Sequence, residues 1–263
     1  MNSRLPPVSV PRDVYVSRRE ALNWKDASKP GLRLAPVHEN RDTGRFLGLL
    51  GFEAMTSSGL HQHGDVGFSY LLSGSIRDYA GKTEPGEMGI NLPGATHDAI
   101  AYVPSAVASR LDGHVLYVGE DFDDAPHLHA GGRVGNFTNK RPEDPPTLNV
   151  AVESIPATVT RVAGLSRRLI SDYRGTAHNF RNAALTLIPG TRVPPFVVSA
   201  PIEIFLIAGS FEINGQHAES GGFCIIEGGT QVQLSSSHGA FLIAWSEAPV
   251  QWLDSANPDL FGF

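Results

Sequence analysis

The string LLSGSI at positions 71–76 returns as LIAGSF at 206–211, and the two coincide when the chain is laid on itself with a shift of 135 positions. The register holds far beyond that match. Without a gap, Leu50 falls on Leu185, Gly74 on Gly209, Glu84 on Glu219, Gly86 on Gly221, Ile90 on Ile225 and Gly94 on Gly229. Glycines that recur at fixed offsets mark turns needing a positive φ or a close backbone approach. The two halves are therefore expected to make the same turns between the same strands, one fold built twice.

The elements of that fold read as strands. Apolar runs are short and rich in Val, Ile, Leu and Phe, while 28 glycines and 19 prolines punctuate the chain. Turn signals recur about every 8–12 residues, as in all-β sandwiches and barrels. The best helical candidate is a short stretch from Ser17 to Trp24. Between the repeats, Gly131 to Asn149 (GGRVGNFTNKRPEDPPTLN) is dense in Gly, Pro and charge and reads as a linker, with the boundary near 145. The expected organisation is an N-terminal arm over 1–40, a first barrel over 41–130, a linker over 131–149 and a second barrel over 150–263. Within the arm, Val14-Tyr15-Val16 reads as a strand able to cover a sheet edge in its own or a neighbouring chain.

Composition excludes several classes. With 41% apolar and 18% charged residues the chain is globular rather than disordered. Its net charge is −6 and its 21 Lys and Arg are dispersed, the doublets Arg18-Arg19 and Arg167-Arg168 reading as solvated faces, so no nucleic-acid footprint is expected. The N-terminus lacks an apolar core of signal-peptide length, and no run approaches the roughly 20 apolar residues that span a bilayer. A cytoplasmic protein without a membrane partner is expected. A single cysteine, Cys224, in the apolar string FCII, reads as a small core side chain and not a nucleophile. The Asn136-Phe137-Thr138 sequon has no meaning without secretion.

The chemistry concentrates in GLHQHGDVGFSYLLSGSI, where His61 and His63 lie two apart in an extended segment. Period-2 geometry points both imidazoles to one face of the sheet. A third imidazole can come from LPGATH, where the Pro93-Gly94 turn feeds His97. Three neutral imidazoles leave two or three metal positions open for water, substrate or oxygen on Fe(II), Mn(II), Ni(II) or Zn(II). His-x-His alone is a weak signal, because His127-Leu128-His129 repeats the spacing just before a loop. Only the first pair is followed in order by a hydrophobic strand, the Gly74 turn, a second strand and the turn with His97.

These two segments resemble the two conserved motifs of the cupin superfamily, G-x5-H-x-H-x3,4-E-x6-G and G-x5-P-x-G-x2-H-x3-N. His61, His63 and Gly74 match the first. Gly94 and His97 match the second; Gly86 matches its opening glycine approximately, and Leu92 stands where proline is usual. The resemblance implies jelly-roll β-barrels with a metal held inside, and with the repeat the chain is similar to a bicupin, which carries the expectation of a homodimer. The usual glutamate ligand would fall at Gly67 or Phe68, and neither can coordinate. The site thus resembles the three-histidine cupins, among them the acetylacetone-cleaving and dihydroxyacetophenone-cleaving dioxygenases. It also resembles the cupin half of ChrR-type anti-sigma factors, although those keep the glutamate and add a helical sigma-binding domain not found here.

Around the histidines, Asp65 is the candidate fourth ligand if the strand stays extended through Gly64; otherwise it is a turn residue. Alternation places Ser69 toward the cavity and Tyr70 away from it, while Arg77, Tyr79 and Tyr102 are candidate substrate contacts. In the second half the same shift carries His61 onto Phe196, His63 onto Val198 and His97 onto Val232. Glu203 lies near the usual carboxylate position without histidine partners. With Ile202 these side chains would form a packed core or apolar pocket, and the second barrel is expected to hold no metal. Three functions follow as expectations. The first is an Fe(II) dioxygenase that uses O2 to cleave a C–C bond of a small β-dicarbonyl or hydroxyaryl ketone. The second is an O2-independent isomerase, lyase or hydrolase using Zn, Mn or Ni. The third is a non-catalytic ChrR-like module binding metal or a small molecule.

Overall fold

A computed structural model describes residues 13–117, 147–173 and 181–253. The main strands, in chain order, are β1 (Val14–Ser17), β2 (Leu32–Asn40), β3 (Arg45–Phe52), β4 (His61–His63), β5 (Gly67–Ser73), β6 (Ile76–Asp78), β7 (Glu87–Asn91), β8 (Thr96–His97), β9 (Ser105–Leu111), β10 (Val115–Tyr117) and β11 (Thr147–Ala151). They continue as β12 (Leu165–Asp172), β13 (Arg181–Leu187), β14 (Thr191–Val197), β15 (Ile202–Ile213), β16 (Phe223–Ile226), β17 (Gln231–Ser236) and β18 (Ala240–Ser246). The chain divides into two compact units, one of residues 20–156 and one of residues 1–19 with 157–263. Both are curled antiparallel β-structures of the jelly-roll kind.

The 135-residue shift is visible strand by strand. β9 carried forward lands on β18, β3 on β13, β5 on the first half of β15, and β7 on β16. Pairing is preserved as well: β9 lies between β3 and β5, and β18 between β13 and β15. The glycines aligned by the repeat, Gly74 with Gly209, Gly86 with Gly221 and Gly94 with Gly229, all have φ between 77° and 92°. At Gly74 a side chain would meet the Pro104 carbonyl and Ser105, so only glycine closes that turn.

In the first unit the principal sheet runs β11-β7-β5-β9-β3-β2. Alternation sends Gly67, Ser69 and Leu71 of β5 to the cavity face, joined by Val107, Ser109 and Leu111 of β9 and by Phe46, Leu50 and Phe52 of β3. A three-stranded and a four-stranded layer of short strands complete the barrel, and the three-stranded one, β8-β4-β10, carries all three histidines. In the second unit the inward residues are apolar throughout. Phe196, Val198, Ile202, Leu206 and Val232 are buried in one cluster, each contributing roughly 1.5–3 kcal/mol by leaving water. The void lined by Leu165, Phe196 and Leu242 there is about 20 Å³, so among the described residues these side chains form a packed core.

Three expectations change. Residues 20–40 are not an arm: β2 is an eight-pair partner of β3, its alternation disguised by Pro36 and a register shift between Pro36 and His38. The last residues of the expected linker, Thr147–Asn149, begin a strand of the first unit, because TLNVA pairs back onto β7. Composition marks the turn-rich stretch before this strand but not which sheet receives it. The short helix expected over Ser17–Trp24 contracts to one 3₁₀ turn, Arg19–Ala21.

β1, read as a strand that could cover a sheet edge, does so on β16, with Val14 opposite Ile226 and Ser17 opposite Phe223. β11 adds to β7 in the same way, Leu148 facing Ile90. Each unit therefore includes a strand that precedes the other unit's repeat in sequence. Among the described residues, no helix is long and apolar enough to cross a membrane. Cys224 is buried in the second core, and burial pushes its thiol up to about 12, which removes it as a nucleophile.

Candidate metal centre

β4 is three residues long, and its two ends project His61 and His63 to the same side. β8 pairs antiparallel with it so that His97 stands opposite His61. The Pro93-Gly94 turn that delivers His97 is tied to the same strand: Gly94 N–H donates to the His63 carbonyl at 2.7 Å, and His63 N–H donates to the Ala95 carbonyl at 2.9 Å. The three imidazoles are all buried and present their ligand atoms within 4.8 Å of one another. Nε2 of His63 lies 3.3 Å from Nε2 of His61 and 3.1 Å from Nε2 of His97.

The protonation pattern follows from the outer contacts. Nδ1 of His61 lies 2.7 Å from the Gly59 carbonyl, which can only accept, so the ring proton sits on Nδ1 and the Nε2 lone pair is bare. Nδ1 of His97 lies 3.0 Å from Oδ2 of Asp78, a buried carboxylate on β6, with the same result. Asp78 is itself fixed, its Oδ1 accepting the Ala80 N–H at 2.8 Å. Burial, reinforced by the neighbouring His97, pushes the His61 imidazole down to about 3, and burial holds His63 well below the ordinary histidine range. At neutral pH these two side chains offer lone pairs to the centre of the cluster.

Three lone pairs converging in a buried site repel one another unless a cation lies between them. The observed nitrogen spacing is that of imidazoles sharing one first-row ion at ~2.0–2.1 Å. The donor set therefore fits a divalent metal held by His61, His63 and His97, with Asp78 and the Gly59 carbonyl orienting two of the rings from behind. Asp78 was not singled out from the sequence.

The remaining candidates separate. Asp65 is not part of the cluster: its Oδ1 accepts the Val66 N–H at 2.6 Å, the turn role that was its alternative. Ser69 lines the cavity. Arg77 is exposed, Tyr102 is 49% exposed, and neither lines the cavity. Tyr79 turns its hydroxyl to the backbone N–H of Thr147, anchoring β11 and not a ligand. In the second unit Glu203 follows Ile202 on β15 and so lies on the sheet face opposite Phe196, Val198 and Val232, the positions that replace the histidines. The pair His127 and His129 and the sequon at Asn136 lie outside the described residues.

Gly67 explains the missing glutamate. A Cβ at this position would stand 2.8 Å from Nδ1 of His63 and 3.0 Å from Cδ2 of Leu111, so the ring of His63 occupies the space that any side chain at 67 would need. Phe68, the other candidate for that place, points to the opposite face of the sheet and is fully buried.

The cluster opens onto a cavity of about 240 Å³. This lies below the ~300–1,000 Å³ of drug-sized sites and suits a small ligand. Its walls are mostly aliphatic and aromatic, with Leu34, Phe46, Leu50, Phe52 and Leu71 prominent. Among the described residues that line it there is no lysine or arginine.

Residues 12–114 match the family of ChrR cupin-like domains. No curated protein matches the sequence. Among solved structures, the fold is similar to that of a candidate dioxygenase from Nostoc punctiforme, at 9% identity and a TM-score of 0.68 over 95% of this chain and 86% of that one. It is also similar to oxalate decarboxylase from Bacillus subtilis, at 11% identity and a TM-score of 0.61 over 88% and 75%. Two barrels built on one repeat and the inward histidine cluster give this chain the cupin fold, and the first barrel is similar to ChrR cupin-like domains.

Proposed function

We propose that the first barrel is the active site of a mononuclear non-haem iron dioxygenase that cleaves a C–C bond in a small, uncharged β-dicarbonyl or hydroxyaryl ketone. The observation that carries this reading is the pairing, among the described residues, of a three-imidazole donor set without a carboxylate and a mostly apolar cavity without a lining cation. Iron(II) held there would supply a Lewis acid of undiminished positive charge with open positions for substrate oxygens and O2.

The chain's own residues do the rest. His61 and His63 remain neutral because they are buried, so they leave the charge of an enolate to be balanced at the centre. Asp78 and the Gly59 carbonyl hold two rings at fixed tautomers, which keeps their Nε2 atoms turned to the centre of the cluster. The aliphatic walls exclude water, strengthening attraction between an enolate and the cationic centre. The same lining argues against oxalate, whose two carboxylates would enter without a basic side chain to meet them.

The test is anaerobic loading with iron(II), followed by oxygen uptake with a panel of aliphatic β-diketones and hydroxyaryl ketones. Uptake matched by carboxylic acid products supports the reading. An iron-loaded protein that consumes no oxygen with any of them refutes it. The match to ChrR cupin-like domains favours a second reading, a metal-dependent binding module without turnover. Saturable ligand binding by iron-loaded protein, with the ligand recovered unchanged under air, would favour that one.

A further inference from the structure

Two adjoining ranks across the principal sheet of the first unit depart from its apolar lining: in one, Thr147 and Asn91 satisfy each other, and the other is less complete. The register places Asn149 of β11 opposite Gly89 of β7, Gly89 opposite Ser69 of β5, and Ser69 opposite Ser109 of β9. All four line the cavity. The neighbouring rank on one side is Leu71, Val107 and Leu50, wholly aliphatic.

Hydrogen bonding within this rank is incomplete. Ser109 donates its proton to the Phe68 carbonyl at 3.1 Å, so the 3.3 Å contact between the two hydroxyls makes Ser69 the donor and Ser109 the acceptor. The lone pairs of Ser69 remain for a partner. Oδ1 of Asn149 is buried and has no hydrogen-bond partner, a situation that costs roughly 1–3 kcal/mol when nothing fills it. Asn149 is nonetheless well placed: β11 is pinned by five register pairs to β7, and the Thr147 hydroxyl donates to Oδ1 of Asn91 at 2.7 Å.

Gly89 stands between them for no backbone reason. Its φ is not positive, and a Cβ there would have its nearest neighbours at 3.8 Å, Oδ1 of Asn149 and the Ser69 carbonyl. A strand-interior glycine that neither conformation nor crowding demands marks a place where something else comes close. Strand axes are about 4.8 Å apart, so the bare backbone of Gly89 leaves a slot ~9–10 Å wide between the strands that carry Asn149 and Ser69.

We infer that this slot is a recognition subsite for a ligand bearing a hydroxyl group remote from its metal-facing end, the hydroxyl passing over Gly89 to donate its proton to Oδ1 of Asn149. The inference deepens the proposed function, on which it rests for the metal-facing end of the ligand, and selects within it: hydroxylated ligands are preferred over purely aliphatic diketones. A buried polar group that is unpaired in the free protein favours the ligand whose hydroxyl satisfies it over the analogue that leaves it as it was.

The test uses zinc-loaded full-length protein, so that binding is read without turnover. The probes are a matched pair, 1-phenylbutane-1,3-dione and its 4-hydroxyphenyl counterpart, whose chelating ends are identical. Calorimetric titration is expected to show the hydroxylated probe binding about tenfold more tightly, which is the net worth of one such hydrogen bond with its desolvated partner. Asn149→Ala should erase the difference while leaving the affinity of the unhydroxylated probe unchanged, and Gly89→Ala should weaken the hydroxylated probe by closing the slot. Equal affinities in the wild type, or a preference that survives Asn149→Ala, overturns the subsite. Discrimination between the probes together with absent oxygen uptake by iron-loaded protein would leave the subsite standing and remove only the oxygenase reading.

Discussion

Restoring a side chain at Gly67 should weaken the metal centre, even when that side chain is the glutamate that resembling sites use as a ligand. Ordinary contacts between a Cβ and a ring atom begin near 3.4 Å, whereas the built position lies 2.8 Å from Nδ1 of His63. The ring must therefore retreat by about 0.6 Å, and metal–ligand distances tolerate only about 0.2 Å. Leu111 can rotate its methyl away, but His63 is confined on its other side, with Nε2 already 3.1 Å and 3.3 Å from its two partners. Disturbing the support of a ligand costs roughly 10–100-fold in metal affinity, and Gly67→Ala should fall in that range or beyond it. The overpacking itself should cost ~1–3 kcal/mol of stability, which urea unfolding measures separately. Competition for zinc or cobalt against a chromophoric chelator gives the affinity of folded Gly67→Ala and Gly67→Glu beside the wild type. Affinity within twofold of wild type in Gly67→Ala, or tighter binding in Gly67→Glu, would refute the reasoning.

Asp78→Asn replaces an acceptor that fixes the His97 tautomer, and metal affinity should drop about tenfold in the same competition assay, with little change in the far-ultraviolet circular dichroism. The metal-free protein should lose stability in acid. His61 titrates at about 3 when folded against ~6.5 unfolded, so below 6.5 the unfolded chain binds a proton that the folded one refuses. Urea midpoints should therefore fall as the pH is lowered from about 7.5 to 4.5, and His61→Gln should flatten part of that slope; a slope unchanged in the variant would contradict the depressed titration.

Much of the architecture could be read from the sequence because it is written twice. Turns that force a positive φ leave the same glycines at the same offsets, and aligned strands inherit the same alternation. The convergence of His61, His63 and His97 is likewise a local matter: two residues on one side of a strand, and a third delivered by a tight turn. What escaped was set by register between distant segments. Asp78 meets His97 across nineteen positions, through a pairing that no pattern around either residue announces. Arg77, one position away, follows the same short strand and points outward, and parity in strands of two or three residues cannot separate such neighbours. Asn149 belongs to the first barrel only because β11 returns to β7, whereas composition placed the residues around it in a linker.

The placement of β1 and β11 bears on how such a chain can be divided. A cut near position 145, where composition suggests one, would strip the first barrel of the strand that carries Thr147 and Asn149. It would also leave the second without the strand that covers β16. Neither fragment would be a self-sufficient gene product. Fragments made separately would each expose an unpaired edge, and recovery of function would depend on mixing the halves, each donating the strand its counterpart lacks. The duplication visible in the sequence has thus become a mutual dependence: the halves are copies by descent and no longer modules.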